Sequence, residues 1–507
     1  MKTAARDRLS LSIIPIRAIN MPAPSQLGIF ALLASLVALH AQGQSTSLST
    51  APEVRSHRHV AALTLHAVRG RDGRDNFAFD GQMTPPIIRV FPGDTLRITY
   101  VNDLPPASGE QCSVGPCMNM TNLHFHGLGV SPQAPQDDVL DMIAMPGQTL
   151  HYEVYIPPDQ PPGLYWYHTH PHGESERQVL DGMSGAIIVE GMERYVPAIR
   201  NLPETVLVLR GRSIEQDANG RAALNKVEAV AAGCGGSEVP ERVFTVNGEI
   251  RPSIGIAPGE RQFWRIVNAS ADLYADVQID GEPWEIVALD GMPLAYHNPE
   301  RPLNTEDHVL LPPASRLEAI VTGPPAGSVA TLRTRCVDTG PDGDSNPAMV
   351  LADIVPAPLR ARPAIASDRR PPFHKRLQLE SLEASPPQFV ATFTEDKNGF
   401  YINGQRYQPD AAPMTVAIVG TYQHWRVVNQ TRELHPMHLH QVHFLVYAVN
   451  GRTLADPVWV DTANVPYGGS IDMIVDFTNP AIRGMSVFHC HLLNHEDKGM
   501  MAKIFLK

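Results

Sequence analysis

The sequence predicts an all-β protein of three consecutive Greek-key sandwich or barrel domains. Three segments share a turn glycine, alternating apolar residues and a closing asparagine, and they lie at residues 93–103, 259–269 and 420–430. Alternation with a period of two is typical of a half-buried β-strand. The chain also carries 46 Pro and 38 Gly, which favour short strands joined by turns over long helices.

The repeat also sets the expected domain boundaries. The strand GLYWYHTH at 163–170 matches GMSVFHCH at 484–491, and GSVATLRT at 327–334 is a weaker third copy. A period of roughly 150 residues suits whole domains rather than a solenoid. We expect domains at 55–195, 200–356 and 374–507, with a Pro/Arg-rich linker at 357–373.

The N-terminal segment predicts export. A sparse basic region precedes an apolar run from Leu27 to Leu39, and small and polar residues follow it. This is the pattern of a Sec-like signal peptide, which we expect at residues 1–44, with Met21 as an alternative start. The mature protein is therefore expected to be periplasmic or secreted. The apolar run is short for a membrane span, so we expect no stable membrane insertion, with an uncleaved anchor as the alternative.

Composition and charge exclude other classes of protein. Hydrophobic residues make up 43% of the chain and charged residues 19%, which indicates packed globular cores. The formal net charge is −12, so we expect no nucleic-acid partner.

The cysteine count is odd, which leaves at least one cysteine outside internal disulfides. Cys112 and Cys117 lie close together in a loop, and Cys234 and Cys336 are able to pair across one domain. Spacing alone decides neither bridge. Cys490 stands apart, between two histidines.

Four His-x-His pairs are the strongest chemical signal in the chain. In a strand, residues i and i+2 project to the same face, so each pair presents two imidazoles to one point, as a metal site requires. The pairs come from the first and third domains, which places a shared site at their interface, and a single chain is sufficient to form it. The middle domain aligns Tyr274, Val277 and Ile279 with ligand positions and is expected to act as a spacer. The pairs are His124/His126, His168/His170, His438/His440 and His489/His491.

The segment His489-Cys490-His491 points its two histidines to one face of a strand and its thiol to the other. One thiolate, two imidazoles and a weak axial Met describe a blue-copper site. The candidates for that second site are Cys490, His435, His495 and Met500, with Met501 competing for the axial role.

Together, the segments HFHG, HTHPHG, HPMHLHQVHF and HCHLLNHEDKGMM resemble the four signature segments of the multicopper oxidases, and the resemblance covers the whole mature chain. It implies three cupredoxin-like domains and four coppers: one type 1, one type 2 and a type 3 pair. It further implies electron transfer from a reductant at type 1 copper to O2, which is reduced to water at the other three. Position by position, it implies type 1 ligands His435, Cys490, His495 and axial Met500, type 2 ligands His124 and His438, and type 3 ligands His126, His168, His170, His440, His489 and His491.

Water formation needs protons, which a carboxylate beside the cluster is suited to supply. The resemblance implies this role for Glu496, and for either Asp137 or Asp138.

Three hypotheses remain for the reaction. The first is a laccase-like oxidase of phenols and aromatic amines. The second is a cuprous oxidase, which is weakened because Cu(I) prefers thioether ligands and the methionines form only a loose group around Met118 and Met142. The third is a non-enzymatic copper-holding protein, against which the complete ligand set argues.

Overall fold

The computed structural model describes residues 46–107, 109, 111–213, 242–361 and 380–507. The predicted signal peptide, Cys234 and most of the predicted linker lie outside these residues. None of the described helices combines the length and the apolar character that a bilayer-spanning helix needs. The strands of the described residues form three pairs of sheets, which confirms the all-β fold class.

The first pair of sheets contains nine strands. They are β1 (Glu53–Arg55), β2 (Val60–Arg69), β3 (Asp75–Ala78), β4 (Ile87–Val90), β5 (Thr95–Asn102), β6 (His124–His126), β7 (Thr149–Tyr155), β8 (Gly163–His168) and β9 (Ser184–Val189). The strand orders are β1-β4-β9-β8-β6 and β3-β2-β5-β7. The sheet edge β6 and its neighbour β8 carry histidine motifs.

The middle pair of sheets contains twelve strands. They are β10 (Glu204–Ser213), β11 (Arg242–Val246), β12 (Ser253–Ile256), β13 (Arg261–Asn268), β14 (Ala275–Ile279), β15 (Trp284–Leu289), β16 (Met292–Pro293), β17 (Asn304–Glu306), β18 (Val309–Leu311), β19 (Arg316–Thr322), β20 (Ala330–Arg335) and β21 (Met349–Pro356). One sheet has the order β11-β10-β13-β19-β15-β16, with β17 paired to β15, and the other has the order β12-β21-β20-β14-β18.

The third pair of sheets contains eleven strands. They are β22 (Phe389–Asp396), β23 (Gly399–Ile402), β24 (Thr415–Ala417), β25 (Tyr422–Asn429), β26 (His435–Leu439), β27 (Phe444–Val449), β28 (Arg452–Val460), β29 (Thr462–Val465), β30 (Ser470–Asp476), β31 (Gly484–Cys490) and β32 (Met501–Leu506). The strand orders are β23-β22-β25-β30-β27-β28 and β24-β32-β31-β26-β29. Thus β26 and β31 are neighbours, as β6 and β8 are in the first pair.

Helices are short and few among the described residues. The α-helices span Ser175–Asp181, Leu294–His297, Glu380–Glu383 and Leu493–Asp497, and the 3₁₀ helices span Met192–Arg194, Pro197–Ile199 and Pro480–Ile482. A disulfide joins Cys112 to Cys117, and Cys336 is also disulfide-bonded. Cys490 is a free, buried thiol.

The three repeated segments form equivalent strands, β5, β13 and β25. Each has one parallel neighbour, β2, β10 or β22, and one antiparallel neighbour, β7, β19 or β30. The alternating burial expected from the sequence is seen in β5. In contrast, β13 is buried along nearly its whole length, because the middle pair of sheets also packs against its neighbours: Val267 joins a cluster with Trp166 of the first pair.

The closing asparagine of each repeat has the same structural task. Asn102, Asn268 and Asn429 are all buried, and each side-chain amide donates to two backbone carbonyls. In the third copy these acceptors are Glu433 O, at 2.8 Å, and Val465 O, at 3.1 Å. This amide therefore shapes the loop that leads into β26 and its histidines.

Candidate metal centres

Strand pairing brings the four His-x-His pairs together. His124 on β6 lies opposite His168 on β8, and His438 on β26 lies opposite His489 on β31. Side chains two residues apart share a face of a strand. Each strand pairing therefore places the other histidine of each motif on the same side as the two that lie opposite each other. All eight imidazoles are buried.

The two histidine groups face each other between the first and third pairs of sheets. The rings of His126 and His438 stack with centroids 3.8 Å apart, and those of His124 and His440 do the same at 3.8 Å. Nε2 of His489 lies 3.1 Å from Nε2 of His440 and 3.3 Å from Nε2 of His170. These contacts form one compact cluster of imidazole nitrogens.

The cluster leaves buried imidazole nitrogens without hydrogen-bond partners among the described residues. Such orphaned groups are costly in a protein interior. In several rings one nitrogen is anchored to a protein oxygen and the other is orphaned, which is the arrangement of metal-binding histidines. The orphaned atoms are Nε2 of His124, His168 and His438, Nδ1 of His126 and His440, and both ring nitrogens of His491. The donor set therefore fits copper, which imidazole ligands suit.

Burial keeps these imidazoles neutral. Desolvation is the largest cause that lowers the pKa of His124, His126 and His489, and neighbouring histidines lower it further. The pKa of His438 falls to about 4 for the same first reason. Because the neutral ring is the form that binds a metal, the lone pairs are available at neutral pH.

A second donor set lies on the opposite face of β31. Cys490 Sγ lies 3.4 Å from Nδ1 of His435 and 3.9 Å from Nδ1 of His495, and these two nitrogens are 3.3 Å apart. Burial raises the pKa of the Cys490 thiol well above its usual value, so a cation must displace the proton to bind the thiolate. The backbone N–H of Leu492 donates to the sulfur at 3.5 Å.

The two candidate axial methionines, the residue before β32 and the first residue of that strand, pack in different apolar clusters. Met500 is fully buried in the same apolar cluster as Cys490, and its carbonyl accepts the Cys490 N–H at 3.1 Å. Met501 belongs to a different cluster, with Val487. The arrangement of a thiol, two imidazoles and a nearby thioether is the set expected for blue copper.

Comparison with known proteins identifies the family of the chain. Family models described as multicopper oxidase match residues 64–194 and 381–506. The chain belongs to the multicopper oxidase family. It is a copper-dependent oxidoreductase that uses O2, with type 1, type 2 and type 3 coppers as cofactors and an organic molecule or Cu(I) as reductant.

Relatives cover nearly the whole chain at low identity. The multicopper oxidase mco of Staphylococcus aureus is 23% identical over 460 residues, covering 87% of this chain and 88% of the relative. The laccase of Bacillus subtilis is 25% identical over 484 residues, covering 84% and 89%.

Solved structures show the same three-domain cupredoxin-like fold. The Campylobacter jejuni multicopper oxidase, described as a metallo-oxidase, has a TM-score of 0.68 at 23% identity and covers 92% of this chain and 96% of its own. The Pediococcus acidilactici laccase has a TM-score of 0.69 at 21% identity, covering 92% and 95%.

Glu496 is buried beside the histidine cluster of this multicopper oxidase. Its carboxylate oxygens lie 3.2 Å from Nδ1 of His489 and 3.6 Å from Nε2 of His170. Burial, followed by the charge of Asp497, raises the pKa of Glu496 well above its usual value. Burial therefore favours the protonated form of Glu496 in the copper-free protein.

Asp137 and Asp138 have different surroundings. The carboxylate of Asp137 is buried, lies 3.0 Å from Nδ1 of His124, and accepts N–H groups from Phe125 and Gln441. Burial raises the pKa of Asp137 to about 8. The carboxylate of Asp138 instead accepts the backbone N–H groups of the two-residue turn at 140–141.

A buried network that the sequence does not predict includes the middle pair of sheets. Asp461, between β28 and β29, accepts from Nε2 of His126 at 3.0 Å and forms a two-bond ion pair with Arg316 of β19. The middle domain thus supplies more than spacing. Neither residue belongs to a spaced motif, and an isolated Asp or Arg carries no signal of burial in one sequence.

Proposed function

We propose that this multicopper oxidase is laccase-like and takes electrons from phenolic or aromatic amine donors. The observation that carries this proposal is the environment of His495, whose side chain is 11% exposed. The ring of Phe400 stacks on it at 3.9 Å, and Oε1 of Glu433 lies 3.5 Å from its Nε2. An aromatic surface and a hydrogen-bonding carboxyl group beside a partly exposed ligand suit a phenolic ring.

The ligand assignment follows the two donor sets. His435, Cys490, His495 and Met500 would hold type 1 copper, and His124 and His438 would hold type 2 copper. The type 3 pair would be held by His126, His168, His170, His440, His489 and His491. Bound copper supplies the one-electron redox chemistry and the reduction of O2 to water.

The chain itself provides the connection between the two sites. Cys490 is the last residue of β31, and the backbone joins it directly to His489 in the strand and to His491 just beyond it. The rings of these two neighbours lie together in the histidine cluster, with centroids 5.4 Å apart. We infer that electrons travel along this covalent path from the thiolate to the histidine cluster.

Carboxyl groups at the cluster would supply the protons for water formation. Glu496 faces His489 and His170 from one side, and Asp137 faces His124 from the other. Gln441 donates to Asp137 at 2.8 Å and also lines a cavity of about 100 Å³ with His443 and Asp476. The proposed relay therefore has two buried acids at the cluster, and Gln441 links one of them, Asp137, to this cavity.

The alternative is a cuprous oxidase, and one observation favours it. Oε1 of Glu433 lies 3.5 Å from Nε2 of His495, and burial together with the neighbouring carboxyl group of Glu395 raises the pKa of Glu433 to about 9. A cation that binds here would displace that proton and gain a carboxylate partner. Against it, the exposed methionines among the described residues are Met83 and Met118, both in the first part of the chain. Thioether ligands for Cu(I) are therefore not displayed beside His495.

Oxygen consumption by the copper-loaded protein separates the two functions. A phenolic donor and Cu(I) are supplied in parallel, with Cys490→Ser as the blank. Faster turnover with the phenol supports the laccase-like proposal, and turnover mainly with Cu(I) contradicts it. Glu433→Gln replaces the carboxyl group beside His495 with an amide that can still hydrogen-bond, so it should raise the KM for Cu(I) more than the KM for the phenol.

We further propose that the mature chain acts outside the cytoplasm as a monomer of domains 55–195, 200–356 and 374–507. The predicted signal peptide at 1–44 supports export, and the closure of both donor sets within one chain supports a monomer. N-terminal sequencing of the mature protein and its mass in solution test these two statements.

A further inference from the structure

We infer that Arg316 of the middle domain is a positioning residue for the histidine cluster. It acts through Asp461, which orients His126 and His438. The inference rests on the proposed ligand assignment. It gives the middle domain, to which no copper ligand is assigned, a defined part in building the site.

Arg316 is held rigidly in the interior. Its side chain is 0% exposed, and its guanidinium donates to both carboxylate oxygens of Asp461, at 2.8 and 2.5 Å. Further N–H groups donate to the backbone carbonyls of Leu164, Ala314 and Asp290 at 3.1, 3.1 and 2.8 Å. Bidentate pairing of this kind fixes direction as well as distance.

Asp461 passes this orientation to two proposed ligands. Its Oδ1 accepts from Nε2 of His126 at 3.0 Å, and its backbone carbonyl accepts from Nδ1 of His438 at 2.7 Å. With those protons in place, the free nitrogens are Nδ1 of His126 and Nε2 of His438, which are the orphaned atoms of these rings. An acceptor on one ring nitrogen sets the tautomer, and so decides which nitrogen faces the metal.

A glycine of the first domain leaves space for the ion pair between Arg316 and Asp461. A Cβ at Gly127, the glycine of HFHG, would lie 2.5 Å from Nη2 of Arg316 and 2.6 Å from Oδ2 of Asp461. Asp290 completes the arrangement, because its carboxylate accepts the backbone N–H groups of Arg316 and Asp461 at 2.8 and 3.2 Å. Residues from all three domains therefore converge behind the ring of His126.

Loss of Arg316 would leave Asp461 as a buried carboxylate without its cationic partner, which is strongly unfavourable. Without the two bonds from Arg316 that fix it, the carboxylate is expected to rotate, and this removes the defined acceptor for His126. Lysine at this position keeps the charge but cannot form two parallel bonds.

The matched control is Arg265. It is also a buried arginine of the middle domain, with 2% exposure, and it pairs with the carboxylates of Glu204 and Glu318. The contacts described for Arg265 include none of the predicted ligands. Arg265→Met therefore measures the cost of losing a buried ion pair away from the histidine cluster.

The test compares Arg316→Met, Arg316→Lys and Arg265→Met by copper content, type 1 blue absorption and the EPR-silent fraction of bound copper. For Arg316→Met we expect weaker copper retention at the histidine cluster by about 10–100-fold and a smaller EPR-silent fraction, with the blue absorption kept. Arg316→Lys should be intermediate, and Arg265→Met should lose stability but match wild type in both copper signals. If Arg316→Met does not fold, Arg316→Lys carries the same comparison.

Wild-type copper content and EPR-silent fraction in a folded Arg316 variant would overturn the positioning role. Failure of the proposed function looks different, because the wild-type protein itself would then lack blue absorption or the copper of the cluster. The two results cannot be confused, since one is read from the variants and the other from the unaltered chain.

Discussion

The carboxylate of Glu496 lies 3.2 Å from Nδ1 of His489, while the adjacent carboxylate of Asp497 turns away to accept the backbone N–H groups of Gly173, Ser175 and Glu176. Two consecutive acids in a five-residue helix therefore have separate tasks. One contacts the histidine cluster, and the other fastens the third domain to the segment that follows His170.

This division predicts different effects for two similar substitutions. Glu496→Gln replaces the acid with an amide that cannot transfer a proton, and it should slow re-oxidation of the reduced enzyme by O2 by about 10²-fold or more, with copper content unchanged. Asp497→Asn should lower the free energy of unfolding, because three backbone donors lose a charged acceptor. Stopped-flow re-oxidation and chemical denaturation measure the two effects. Equal re-oxidation rates in Glu496→Gln and wild type would contradict the relay.

Asp137 and Asp138 offer a second matched pair. Asp137→Asn alters the group that contacts His124 and should reduce turnover by about 10–100-fold. Asp138→Asn alters only a turn and should keep turnover near wild type, with a loss of about 1 kcal/mol in the free energy of unfolding. Steady-state oxygen consumption and urea denaturation are the measurements. A larger kinetic effect in the Asp138 variant would reverse the assignment.

Removal of copper should make the protein sensitive to acid. The folded-state pKa of His435 is lowered to about 3 and that of His438 to about 4, chiefly by burial, against about 6.5 when unfolded. The unfolded chain therefore binds more protons below pH 6.5, and stability falls as pH decreases from there. Each such histidine contributes a slope of about 1.4 kcal/mol per pH unit. Denaturation of copper-free protein at several pH values tests this, and a flat profile between pH 7 and 5 would exclude it.

The glycine of HFHG allows a steric test of the close packing between the first domain and the Arg316–Asp461 ion pair. Gly127 and Gly147 have similar φ angles, +84° and +85°, but a Cβ meets Arg316 and Asp461 only at Gly127 and meets nothing within 4 Å at Gly147. Gly147→Ala should cost about 1–2 kcal/mol from backbone strain. Gly127→Ala should cost a further ~1–3 kcal/mol from the clash and also lower copper retention. Thermal unfolding and copper analysis distinguish them, and equal losses would show that the clash is relieved cheaply.

The sequence was sufficient for the fold class and for the grouping of the histidines, because both depend on short-range periodicity. The His-x-His spacing already shows that both histidines of a motif lie on one face of a strand. The pairing of β26 with β31 then places His438 opposite His489. Asp461 and Arg316 were not predictable in the same way. They are separated by 145 residues and become partners only when three domains pack together. The choice between Asp137 and Asp138 likewise depends on a turn geometry that one sequence does not reveal.

The buried asparagine amide of each repeat fixes the conformation of the following loop, whether or not that loop carries a metal ligand. Asn268 donates to the carbonyls of Leu273 and Leu311 in the middle domain, where Tyr274 stands in place of a ligand, just as Asn429 does before His435. The loop is thus shaped by scaffold hydrogen bonds that need no metal. A copy of the domain can lose or gain ligands without being redesigned, so the middle domain is a ready framework in which a new metal site can be engineered.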